Sequence, residues 1–148
     1  MKKKGLVVAV IVVGLALVGA AAGYIFLGST PTPAGPAGTA ATFQSISPLQ
    51  AKTLIETRQD LLLVDCRSPE EFRQGALPGS KLIPFWEFTK GNYDLPKDKP
   101  VLLVCAVGGR SLAVGQLLAA RGYREVYNLR GGLDAWIEQK VPLPAGRR

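Results

Sequence analysis

Val101-Leu102-Leu103-Val104-Cys105-Ala106-Val107-Gly108-Gly109-Arg110-Ser111 is an apolar run that delivers a cysteine into a glycine loop, after which the chain restarts as a helix. Four branched aliphatics in succession read as a strand buried on both faces, and the pattern from Leu112 to Arg121 reads as a helix with one apolar side. Cys105 therefore stands between a strand's carboxyl end and a helix's amino end. Open α/β sheets place ligand sites there, and the unpaired N–H groups and dipole of a helix start favour an anion.

Working outward, the same alternation recurs. Phe43 to Ile46 is a short strand. Ser47-Pro48-Leu49-Gln50 supplies an N-cap, a proline at the first helical position and a reciprocal glutamine, predicting a helix to about Arg58. Leu61 to Asp65 is a second buried strand ending on a carboxylate, and Ser68-Pro69-Glu70-Glu71 repeats the cap before a short helix that stops near Gly75. Glu70 and Glu71 lie in its first turn, where the dipole favours them. Lys81 to Ile83 is a weaker third strand, Pro84 to Phe88 a helical turn, and residues 91–100 a polar loop. The helix after Cys105 stops at Gly122, and Val126 to Leu129 is a fifth strand. Gly131-Gly132 turns into an amphipathic segment carrying Leu133, Trp136 and Ile137 that ends before Pro142. The fold class is α/β: a five-stranded, mostly parallel sheet flanked by helices on both faces, with the Leu, Trp and Phe positions as core.

The amino-terminal region is different in kind. Lys2, Lys3 and Lys4 precede an apolar or small-residue run from Leu6 to Leu27, whose 22 residues span about 33 Å as a helix, close to the roughly 30 Å of a bilayer core. This predicts one transmembrane helix over residues 6–27 after a basic start, residues 1–5. A cleaved signal peptide is the competing reading, with Ala20, Ala21 and Ala22 near a processing site, but its apolar region is usually about 7 to 15 residues. The next basic residue is Lys52, so the positive-inside rule keeps the amino terminus cytoplasmic and exports the remainder, to a periplasm if bacterial. Residues 28–42, rich in Gly, Pro, Ala and Thr without charge, read as a linker of roughly 20 Å if flexible and at most about 46 Å if extended. Residues 43–148 form the working domain.

Setting the three anchor lysines aside leaves 15 of the 18 Lys and Arg against 11 Asp and Glu, so the net +7 falls to +4. The signs are interspersed, which does not indicate nucleic-acid binding and supports only a mild bias toward small anions. There is no histidine and there are two cysteines. Ser-His-Asp and Cys-His mechanisms and histidine-ligated metal sites are thereby excluded from this chain, two cysteines are too few for structural zinc, and no cofactor is expected.

A cysteine is nucleophilic as its thiolate, and a free thiol is only a few per cent ionised at neutral pH. The helix start, the loop N–H groups and Arg110 are what this chain offers to stabilise the anion, with Gly108 and Gly109 letting amides point into one concavity. A cysteine ending a buried strand also serves as a small hydrophobe, but the Gly-Gly-Arg-Ser context favours the reactive reading.

Cys105-x-x-Gly108-x-Arg110-Ser111 resembles the active-site loop of the rhodanese family of sulfurtransferases. Asp65-Cys66-Arg67-Ser68-Pro69-Glu70-Glu71-Phe72 resembles that family's Asp-x-Arg-x-x-x-Glu-Phe or Tyr segment. Gly75-Ala76-Leu77-Pro78-Gly79-Ser80 resembles its Gly-His-Ile-Pro-Gly-Ala turn, with Ala76 where the family commonly has His. Leu129-Arg130-Gly131-Gly132-Leu133-Asp134-Ala135-Trp136 resembles its closing Gly-Gly-x-x-x-Trp. The four motifs run in family order between about Ser45 and Val141.

The resemblance implies a single rhodanese domain in which Cys105 is the catalytic nucleophile and accepts a sulfane sulfur as a persulfide. A small anionic donor such as thiosulfate would supply the sulfur, and a thiol or cyanide-like acceptor, or an unidentified protein, would receive it. It implies that Ala106, Val107, Gly108, Gly109, Arg110 and Ser111 bind the substrate through their amides, with Arg110 bracing the loop, attracting the donor, or both. The loop from Cys to Arg is six residues, one shorter than in the related phosphatases, which fits a terminal sulfur better than a phosphate. Asp65 and Arg67 are expected as supporting scaffold. In the implied strand order Cys66 neighbours Cys105, and adjacent strands lie about 4.8 Å apart, so Cys66 is either a redox partner of Cys105 or a buried filler. Two rivals to the enzyme reading are a non-enzymatic sulfur carrier or partner-binding domain, and an arsenate reductase or phosphatase.

Overall fold

A computed structural model describes residues 41–144 of the 148-residue chain. The expected basic start, the membrane span over residues 6–27 and nearly all of the linker lie outside the described residues. Among those described, no helix is long and apolar enough to cross a membrane.

The strands are β1 (Thr42–Ile46), β2 (Leu62–Asp65), β3 (Lys81–Leu82), β4 (Val101–Val104) and β5 (Glu125–Leu129). The helices are α1 (Pro48–Thr57), α2 (Pro69–Arg73), α3 (Phe85–Lys90), α4 (Gly109–Ala120) and α5 (Gly132–Glu138). The five strands form one sheet in the order β1-β5-β4-β2-β3, with every neighbouring pair parallel. β4 is thus enclosed on both sides, which explains its four consecutive buried aliphatics. Linker and domain meet one residue earlier than the composition suggests, because Thr42 already pairs with Glu125 and donates its N–H to the Arg124 carbonyl at 2.8 Å.

Alternate residues of β4 feed two cores. Val101 and Leu103 pack with Val64, Phe88, Val114 and Val126 on the face covered by α3 and α4. Leu102 and Val104 pack with Ile55, Leu63, Leu129 and Trp136 on the face covered by α1 and α5. Both predicted capping boxes are present: Ser47 with Gln50 opens α1, and Ser68 with Glu71 opens α2.

Some expectations need correction. Helix α4 begins at Gly109 rather than Leu112, because its first turn is the polar Gly-Arg-Ser segment, which apolar periodicity does not register. Leu49, Trp86, Leu112, Ile137 and Leu143 are exposed rather than core. The helical period explains three of them. Pro48, Ala51 and Ile55 take the inner face of α1, Phe85 and Phe88 that of α3, and Leu133 and Trp136 that of α5, so the residue next in sequence to each stripe is turned outward.

Candidate active site

The carboxyl ends of β2 and β4 and the amino ends of α2, α4 and α5 meet at Cys105. The residue is fully buried, and two backbone N–H groups and a hydroxyl oxygen surround its sulfur. The Gly108 N–H reaches Sγ at 3.1 Å, the Ser111 N–H at 3.5 Å and the Ser111 hydroxyl oxygen lies 3.3 Å away. Of the six loop residues read as substrate-binding, Gly108 and Ser111 therefore touch the sulfur. Ala106 is half-buried, and Val107 and Gly109 form the exposed rim.

The loop is held from behind by α5. The Leu133 N–H donates to the Cys105 carbonyl at 2.9 Å and the Asp134 N–H to the Ala106 carbonyl at 3.0 Å. Tying these carbonyls to a helix start leaves the following amides free to turn toward Sγ. The geometry needs Gly108 in the left-handed region at φ +88°, where an added Cβ would also come within 3.0 Å of the Leu129 carbonyl oxygen and the Gly131 nitrogen.

Arg110 does not point freely into solvent. Its guanidinium forks onto Glu71 at 2.7 and 2.6 Å, and Glu71 also accepts the Ser68 N–H as part of the cap of α2. The paired guanidinium, helped by the cap, holds the Glu71 carboxyl down at about 2. Arg110 is correspondingly raised, first by Glu71 and also by the neighbouring Cys105. The loop is thereby tied to the motif 39 residues earlier.

Asp65 and Arg67 form a second fork in the interior. Arg67 Nη2 lies 2.8 Å from Asp65 Oδ2 and donates to the Gly75 carbonyl at 2.6 Å, while Asp65 Oδ1 also accepts the Arg67 N–H. Both side chains are buried, and neither donates to Sγ. They fix the turn that brings α2, and with it Glu71, alongside the loop. Cys66 follows Asp65, which is in register with Val104, so the two cysteines stand side by side past their strands. Both thiols are free, fully buried and packed in the same cluster, and burial pushes the Cys66 thiol strongly up. Among the described residues no group of three or more His, Cys, Asp or Glu side chains is placed to hold a metal ion.

Beside the loop lies a cleft of about 390 Å³ lined by Arg67, Ala76, Ala106, Leu133 and Trp136 among others. Ala76 and Leu77 make one wall of it apolar.

The rhodanese-like domain family model matches residues 47–139. The chain belongs to the rhodanese-like family. A sulfurtransferase of Allochromatium vinosum is 38% identical over 87 residues, covering 59% of this chain and 81% of that protein. The thiosulfate sulfurtransferase GlpE of Glaesserella parasuis is 29% identical over 105 residues, 71% of this chain and 96% of the relative. Among solved structures, a rhodanese-like domain protein from Staphylococcus aureus superposes with a TM-score of 0.57 at 32% identity, covering 63% of this chain and 90% of that one.

Two contributors to the rhodanese site were not evident as such in the sequence. Glu71 reads locally as a helix-start carboxylate, and its fork with Arg110 depends on the tertiary fold. Asn128, buried in β5, accepts from the Ser111 hydroxyl at 2.7 Å. Its one visible signal is an amide inside the otherwise apolar run Val126-Tyr127-Asn128-Leu129.

Proposed function

We propose that the protein is a membrane-anchored, extracytoplasmic sulfurtransferase of the thiosulfate type, working through a persulfide on Cys105. The observation that carries the chemistry is the convergence of two backbone N–H groups, those of Gly108 and Ser111, on one sulfur at a helix amino end. Such donors, already oriented before reaction, stabilise a thiolate and then a persulfide anion. In the first step Sγ attacks the outer sulfur of thiosulfate, a sulfur–sulfur bond forms to Cys105, and sulfite leaves with the electron pair of the broken bond. In the second a thiophilic acceptor, cyanide or a thiolate, attacks the outer sulfur and the Cys105 thiolate leaves. The adjoining cleft supports the approach of a small donor or acceptor, and the Lys2–Lys4 and Leu6–Leu27 pattern supports the anchor. Purified protein mixed with thiosulfate and cyanide should release thiocyanate, and Cys105→Ser should abolish the release. Turnover that survives this substitution would refute the role given to Cys105.

The enclosure of Cys105 favours a second reading, a sulfur carrier that loads and discharges slowly. A stable gain of one sulfur in intact mass after thiosulfate, with negligible thiocyanate, would select it. An oxyanion-binding reductase or phosphatase is less well supported, because the Arg110 fork that would grip the oxyanion is already occupied by Glu71. The placement of Cys66 supports its role as packing for the base of the loop.

A further inference from the structure

Ser111 has one hydroxyl proton and three acceptors within reach. Its Oγ lies 2.7 Å from Asn128 Oδ1, 3.2 Å from the Gly108 carbonyl oxygen and 3.3 Å from Cys105 Sγ. A hydroxyl donates one hydrogen bond, and the nearest acceptor here is the amide. Asn128 Nδ2 in turn donates to Ser45 Oγ at 3.0 Å, which keeps Oδ1 facing Ser111. Sheet register aligns this chain of groups, because Ser45 pairs with Asn128 between β1 and β5, and Asn128 pairs with Leu103 of β4, two residues before Cys105. Ser111 and Asn128 are both buried. In this setting the sulfur faces a hydroxyl oxygen whose proton is committed elsewhere, which suits a neutral thiol and not an anion.

We propose that Asn128 is a positioning residue that directs the Ser111 hydroxyl, and that the Ser45–Asn128–Ser111 chain reverses its hydrogen-bond polarity when Cys105 Sγ carries negative charge. A half-turn of the amide exchanges its oxygen and nitrogen at nearly the same positions. Nδ2 then donates to Ser111 Oγ, Ser111 donates to Sγ, and Oδ1 accepts from the Ser45 hydroxyl. Every hydrogen stays on its own atom, and the amide and the Ser111 hydroxyl remain paired in both settings. The anion thereby gains a donor without leaving an orphaned polar group in the interior. The inference deepens the proposed role of Cys105 but needs only that Sγ ionise.

The test is the rate at which iodoacetamide alkylates Cys105 in the full-length protein at about pH 7.5, read from the mass of the Cys105 peptide. Ser111→Ala should slow it about three- to tenfold, the range of one ordinary hydrogen bond, as befits a long contact to sulfur. Asn128→Asp, an isostere whose carboxylate has no N–H and holds the Ser111 proton permanently, should slow it at least as much. Asn128→Leu removes the competing acceptor, frees the proton for sulfur and should slow alkylation clearly less than Ser111→Ala or Asn128→Asp does. A merely structural Asn128 predicts the opposite order, with the isostere the better tolerated. Combining Asn128→Asp with Ser111→Ala should slow the reaction by far less than the product of the two single effects. Alkylation of Asn128→Leu as slow as that of Ser111→Ala, or independent effects in the double variant, would overturn the proposal. Because alkylation needs no sulfur donor, a failed thiocyanate assay leaves this outcome readable.

Discussion

A methyl group at residue 132 would lie 2.2 Å from the Ala106 carbonyl oxygen and 2.4 Å from that of Cys105, at a backbone φ of +62°. Gly132 touches no reacting atom, yet it lets the start of α5 come close enough to hold both loop carbonyls. The Gly132→Ala protein should therefore lose about 2 kcal/mol or more of stability in denaturant titration, from left-handed strain plus backbone displacement. Its thiocyanate turnover should fall at least about tenfold, because moving the carbonyls turns the Gly108 and Ser111 amides off the sulfur. Gly109 is the contrast, since an added Cβ there meets nothing within 4 Å. Gly109→Ala should change stability by no more than about 0.5 kcal/mol and leave turnover near wild type. The Gly131-Gly132 pair is visible in sequence as a turn. Which of the two guards the active loop depends on a contact with residues 26 and 27 positions earlier and is not readable from local pattern.

Helix α2 caps itself with the carboxylate that it also lends to α4. The cap is local chemistry, and Ser68-Pro69-Glu70-Glu71 announces it in the same way that Ser47-Pro48-Leu49-Gln50 announces α1. The loan to Arg110 crosses 39 residues and is set by the β2–β4 pairing, so it became visible only with the fold. Glu71→Gln separates the two functions, because Gln50 already caps α1 in the same position. The substitution should keep α2 and remove the ion pair, at about 1 kcal/mol near neutral pH for a part-exposed fork. The folded-state carboxyl is held at about 2, below its ordinary 4.5, so the unfolded chain binds the proton first as pH falls. The stability supplied by the pair is thus fully present above pH 4.5 and is lost as pH drops toward about 2. Thermal midpoints of wild type and Glu71→Gln should differ at neutral pH and converge through that window. An undiminished difference at the acid end would mean that the carboxylate acts through packing. The paired ends of β2 and β4 also bear on the proposed packing role of Cys66. An enclosed thiol raised by burial is a poor partner, so mild oxidation should yield no peptide linking Cys66 to Cys105. A linked peptide in the mass spectrum would restore the redox role.

At the scale of the whole molecule, the alternation of buried strands with capped helices made the α/β class legible from local patterns alone. The strand order came instead from the likeness of four motifs to one family, since no periodicity says that β5 enters between β1 and β4. Side-chain facing was the weakest part of the reading, because exposed Trp86 and Ile137 are no less apolar than their buried neighbours. The nucleophile loop was legible for the opposite reason: its strand, glycines, Arg and Ser are contiguous. The amino-terminal pattern makes a separate prediction about where this chemistry takes place. Thr42 belongs to the sheet, so a chain beginning at Ala41 keeps every strand, whereas one beginning at Phe43 loses the Thr42 bond to the Arg124 carbonyl. The full chain should remain with membranes after an alkaline carbonate wash, as expected of a span of about 20 apolar residues. The chain from Ala41 should be released to the supernatant and retain its rate of thiocyanate formation within about twofold, because the described residues of the site all lie in or after β1. The proposed orientation, with the three lysines on the cytoplasmic side, predicts that protease added to spheroplasts digests the domain of the full chain without lysis. Full-length protein found in the carbonate supernatant would remove the anchor from the proposal while leaving the chemistry of Cys105 untouched.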